Sequence, residues 1–152
     1  MVGEIIDVTN SVKGKDVFEV IKDIEGPEKI SVDMLEIVPL REGGLDLLDF
    51  LVISPKYQNM LSVWDLRDRA KEMDAHLGLQ HARCIMRAQQ EVPKEWHKYN
   101  LLFPGTIARA MRDGKLYLPV LLDHEGDFFL GFLPLVRQEW RQQASRFVRW
   151  RR

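Results

Sequence analysis

The chain has 152 residues, 45% apolar and 30% charged, which is the size and make-up of one ordinary globular domain able to form its own core. A single Cys excludes an internal disulfide framework and fits a reducing compartment, and no apolar run approaches the ~20 residues of a membrane span. The formal charge of −1 hides a polarity: residues 1–60 carry six Lys and Arg against twelve Asp and Glu, and residues 61–152 carry sixteen against eleven.

Residues 3–9 read as a short strand. Glu4 and Asp7 interrupt Ile5, Ile6 and Val8, so no secretory signal is expected and the expected location is cytoplasmic. Residues 16–25 place Val17, Val20, Ile21 and Ile24 at helical spacing, with Asp16 as candidate N-cap and Gly26-Pro27 as the stop. Their Val and Ile content leaves a strand open. Residues 29–39 and 46–54 read as two strands around Arg41-Glu42-Gly43-Gly44.

Val63, Leu66, Ala70, Met73 and Leu77 form an apolar stripe, and Asp65, Arg67, Asp68, Arg69, Lys71 and Glu72 fill the other face. The pattern predicts an amphipathic helix ending near Gly78. A second helix is expected from about 79 to 91, with His81, Cys84, Ile85, Ala88 and Val92 on one stripe and Pro93 as terminator. Tyr99–Phe103 reads as a short strand. Thr106 is the expected cap of a brief helix Ile107–Asp113 closed by Gly114. Lys115–Leu122 and Asp127–Leu133 flank Asp123-His124-Glu125-Gly126, a hairpin signal. Ten of the fourteen aromatic residues lie between Trp96 and Trp150, which places most aromatic packing, and any interface, in the last third. With no long linker, the expectation is a single α+β domain over residues 1–152: a mostly antiparallel sheet with a helical pair (about 59–91) packed on one face.

Residues 137–152 form a basic C-terminal arm, with six Arg against one Glu and with two Trp and one Phe interleaved. As a helix it would align Val136, Trp140, Ala144 and Phe147–Val148 on one face. Guanidinium groups contact phosphate bidentately, Trp stacks on unpaired bases, and phosphate neutralisation makes such binding salt-dependent. The candidate contacts are Arg137, Arg141, Arg146, Arg149, Arg151 and Arg152, with Trp140 and Trp150 as stacking platforms. Three other uses compete: closing the core, pairing with the acidic N-terminal half within a protomer or across a dimer, and lying on an anionic membrane surface.

Catalytic and metal signals are thin. His81 and Cys84 share a helix face but also fall on its apolar stripe; His76 points elsewhere, and no Cys pair or His-Glu-x-x-His joins them. No orienting group or oxyanion donor completes a Cys–His nucleophile. Asp46/Asp49, Asp65/Asp68 and Asp123/Glu125/Asp127 could bring carboxylates together, yet none has a calcium-loop pattern. Phosphate-loop and nucleophile-elbow motifs are absent. Trp96 and Tyr99, interleaved with Lys94, His97 and Lys98, read either as a binding lip or as a seal between helices and sheet.

The function expected on these grounds is a non-enzymatic binding or accessory protein, without a cofactor, whose arm engages an acidic partner, first of all nucleic acid. The alternative is a homo-oligomer in which the arm of one subunit lies on the acidic half of another. A third reading is a small metal-dependent or Cys/His hydrolase using His81, Cys84 and an Asp pair.

Overall fold

A computed structural model describes residues 1–10, 14–40, 63–134 and 145–152. The strand at 46–54, the turn at 41–44, Asp46/Asp49, Arg137, Trp140 and Arg141 lie outside the described residues. Within them the architecture is α+β: one mostly antiparallel eight-stranded sheet and two α-helices.

β1 (Ile5–Asn10) pairs antiparallel with β2 (Gly14–Lys22), and β2 pairs with β5 (Ile107–Ala110). Residues 16–22 are therefore strand, 23–25 follow it without regular structure, and the segment is not a helix. Phe18 and Val20 point into apolar clusters at two-residue spacing, and that alternation outweighs the helical spacing of Val17, Val20 and Ile24. A 3-10 turn at Val32–Met34 leads into β3 (Leu35–Pro39). β4 (Asn100–Leu102) is short. The hairpin of β6 (Leu116–His124) and β7 (Asp127–Pro134) matches its sequence signal. Glu125 and Gly126 have φ of 54° and 92°, the left-handed pair that suits a right-twisted two-residue hairpin.

β6 organises the sheet. β7 runs along one of its edges; along the other, β5 pairs with Leu116–Tyr117 and β4 with Val120–Leu121. The sheet thus forks into a β5-β2-β1 limb and a β4-β8-β3 limb. Pro119 sits at the fork. Its carbonyl accepts the Phe103 N–H at 3.0 Å, so its nitrogen also faces the gap between the limbs. A residue with no N–H is tolerated where neither limb needs a donor.

β8 (Ser145–Trp150) is the central strand of the second limb, parallel to β4 and antiparallel to β3. The arm's last residues are therefore a strand, not a continuation of a helix. Their alternation explains it. Phe147 joins the apolar cluster of α1 (Val63–Glu72), while Val148 joins that of α2 (Leu79–Arg87). Buried on both faces, β8 has the near-continuous apolar centre of an interior strand. Leu101 and Leu102 in β4 divide in the same way. The two helices, expected together on one face, thus contribute to two clusters on opposite sides of these strands.

The helix stripes are as read from sequence: Val63, Leu66, Ala70 and Met73 are buried, as are His81, Cys84 and Ile85. The boundaries differ. α1 stops at Glu72, followed by Asp74 with φ 57°. Gly78 is not its C-terminal cap but the extended residue before α2, with a 3-10 turn (Gln89–Glu91) after that helix. Residues 107–110 are strand β5, not a helix. Thr106 does act as a cap, but for α2: its hydroxyl accepts the Leu79 N–H at 2.8 Å.

Candidate polyanion interface at the end of strand β8

The last residues of β8 leave the sheet beside the 3-10 turn and the C-terminal end of α1. Arg149 is on the α1 side. Its Nε donates to Glu36 Oε2 at 2.7 Å and its Nη1 to the Met73 carbonyl at 3.2 Å. Arg152 donates to the same carbonyl at 3.3 Å. Two guanidinium groups thus meet one carbonyl just past the end of α1, where the helix dipole is negative and cations are favoured. Arg151 is exposed, with its Nε donating to the Asp33 carbonyl at 2.7 Å. Trp150 lies on the opposite side, edge-on to the His81 ring with centroids 6.1 Å apart. Its indole is 41% exposed, next to Met34 at 57%. Burial, reinforced by Lys71 and Arg67, pushes the His76 pKa below its usual value. The exposed residues at this end of β8 are Trp150, Arg151 and Arg152.

Arg146 is placed differently: its guanidinium lies 4.2 Å from the Tyr99 ring centre, and it donates to the Ser145 carbonyl. Of the candidate arm residues, Arg149, Trp150, Arg151 and Arg152 converge at the end of β8, and Arg146 packs further back. The basic end and the acidic half meet within one chain, through the β3–β8 pairing and the Glu36–Arg149 ion pair.

His81 and Cys84 share a buried face but have separate partners. His81 Nδ1 accepts the Gly78 N–H at 3.1 Å, which leaves the ring proton on Nε2. Burial pushes its pKa below the usual range, against the pull of Asp23. The Cys84 thiol faces the Pro27 carbonyl at 3.3 Å, at the edge of a cleft of about 510 Å³ that Lys29 and Arg87 also line. Burial pushes its pKa up, and Arg87 only partly offsets this. A thiol held protonated is a poor nucleophile at neutral pH.

Among the described residues, no three His, Cys, Asp or Glu side chains converge as a metal site. Asp123 instead hydrogen-bonds His97 at 2.6 Å, and His97 stacks on Phe128 at 4.2 Å. Trp96 is buried in the α2 cluster, as a seal requires, and Tyr99 packs against it. No helix among the described residues is long and apolar enough to cross a membrane.

The sequence reading missed a polar joint at the start of α2. Asp23 Oδ1 accepts from the Thr106 hydroxyl at 2.6 Å and from the Ile24 N–H at 2.9 Å, and Thr106 in turn caps Leu79. Burial pushes Asp23 up, but the hydrogen bonds from the Met1 ammonium, Thr106 and Ile24 outweigh it and hold the carboxyl below its usual range. Gly105 completes the joint: its N–H donates to the Leu77 carbonyl at 2.8 Å, and a Cβ there would run into the His76 carbonyl. No local pattern announces this contact, because Asp23, Gly78 and Thr106 are far apart in sequence.

Compared with known proteins, the chain matches no family model, no curated protein and no solved structure. The functional reading rests on the geometry alone.

Proposed function

We propose that the protein is a non-enzymatic binding module whose β8 end engages a polyanion, with single-stranded nucleic acid as the leading ligand. The observation that carries this reading is the half-exposed Trp150 indole beside the exposed Arg151 and Arg152. An indole offers a face on which any base can stack, and exposed guanidinium groups reach phosphate without first breaking a buried ion pair. Arg149 and Arg146 serve the fold in this reading, since Glu36 and Tyr99 already hold them.

The test is a titration of the full chain with a single-stranded oligonucleotide at low salt, comparing wild type with Trp150→Ala and with Arg151→Ala/Arg152→Ala. Loss of one stacked base costs about 1–3 kcal/mol, so Trp150→Ala should weaken binding roughly tenfold. Wild-type protein that binds no oligonucleotide at low ionic strength rejects the reading. Sedimentation at low and high salt checks the rival homo-oligomer, which uses the same cations; a salt-labile dimer would favour it.

A further inference from the structure

The cleft at Cys84 has two walls of different kinds. One is α2, which contributes Gln80, Cys84 and Arg87 from a single helix face and Ala88 just past its end; the other is the irregular segment 28–30. The walls are tied together. Gln80 Nε2 donates to the Pro27 carbonyl at 3.2 Å, and the Cys84 thiol lies 3.3 Å from that carbonyl and 3.5 Å from the carbonyl of Glu28. The cleft is therefore preformed.

Its buried lining residues, Ile30 and Cys84, form an apolar floor with the half-buried Ala88 beside them. Burial keeps the thiol protonated, so the floor carries no charge. The rim is cationic, because Lys29 and Arg87 are both exposed there. Arg87 is folded back over the floor: its Nε donates to the Arg83 carbonyl at 3.3 Å, and its Nη2 lies 3.9 Å from Cys84 Sγ. Among the described residues, no carboxylate forms an ion pair with either cation. Glu28 is the acid on the same rim, so two cations against one carboxylate leave the described lining with a net charge of +1.

We propose that this cleft binds a small organic carboxylate, its charged end on Arg87 and Lys29 and its apolar body on Ile30, Cys84 and Ala88. The volume of about 510 Å³ falls within the ~300–1,000 Å³ of small-molecule sites, and an apolar floor with a few polar groups at the rim is their usual make-up. A guanidinium presents paired N–H groups that match the two oxygens of a carboxylate. One negative charge balances the lining; Glu28 repels a second, and an amine would meet two like charges. The inference goes beyond the nucleic-acid reading and is independent of it, since Trp150, Arg151 and Arg152 are not part of this lining.

The probe is hexanoate, with hexanol and hexylammonium as controls of the same chain length, titrated into the full chain at neutral pH and constant ionic strength. Binding is read from the methyl resonances of Ile30 and Ala88. The expected result is a saturable shift with hexanoate, an affinity for hexanol lower by roughly fivefold or more, and no saturation with hexylammonium. Arg87→Gln should weaken hexanoate by the same roughly fivefold or more while leaving hexanol unchanged, and Lys29→Gln should act in the same direction. Both side chains are exposed, so neither exchange should move the unfolding temperature of the ligand-free protein.

Trp150→Ala should bind hexanoate as the wild type does, which separates this cleft from the end of β8; a hexanoate affinity that falls in that variant places the probe at β8 and overturns the proposal. No saturable shift in wild type, equal affinity for hexanol, or an Arg87→Gln variant that binds hexanoate as wild type does overturns it as well.

Discussion

The end of α1 and the start of α2 are separated by only a few residues, yet they are built on opposite principles. At the start of α2, Asp23, Thr106, Gly78 and His81 satisfy one another, and the backbone of Gly105 is packed against that of His76 and Leu77. In and just after α1, Arg67 and His76 hold buried nitrogens without hydrogen-bond partners among the described residues, and Arg149 and Arg152 crowd one carbonyl. A closed polar network fixes geometry and is worth more than its separate bonds. An open one is retained at a cost to stability, and such costs gather where a protein binds something. The first region is therefore read as scaffold and the second as working surface.

The contrast predicts unequal mutational effects. Gly105→Ala should be the most damaging change, because its Cβ meets backbone that has no way to yield; a loss of about 3 kcal/mol or more in urea denaturation is expected. Thr106→Val keeps the shape but removes the cap on Leu79 and the donor to Asp23, for about 2 kcal/mol. A loss under about 0.5 kcal/mol would show that the joint is not a scaffold.

An intermediate effect should come from pH. Burial holds the folded pKa of both His81 and His76 below the usual value. Below about pH 6.5 the unfolded chain therefore binds more protons than the folded one, and stability falls as pH drops through that window. Unfolding midpoints between pH about 7.5 and about 5.5 should show this slope, and His81→Gln should flatten part of it. Equal slopes in variant and wild type would contradict the assignment. The smallest effect should come from Glu36→Gln. This partly buried pair with Arg149 is worth about 1 kcal/mol in a stability measurement, and its removal leaves an additional cation for a polyanion.

Much of this frame was legible in the sequence. The apolar stripes at 63–73 and 81–85 and the turn at Glu125-Gly126 are local patterns, and local physics sufficed for them. Residues 17–24 and 107–110 were not, because short Val, Ile and Ala segments fit either period until neighbours decide. Thr106 was recognised as a cap, but its helix lies 27 positions earlier in the chain. Arg67 was assigned to solvent because of its charge, although its spacing from Val63 and Ala70 placed it among buried positions. The basic arm was visible as composition; that Glu36 would engage Arg149 depended on the register of β3 against β8.

The most direct test of the binding claim is the salt dependence of oligonucleotide affinity. For single strands, log affinity falls with log salt by ~0.7 per phosphate contact. The account predicts that Arg151→Ala/Arg152→Ala reduces the wild-type slope by about 1.4, for two lost contacts, and weakens binding across sequences alike. An unchanged slope in that variant, with wild-type affinity retained, would contradict it.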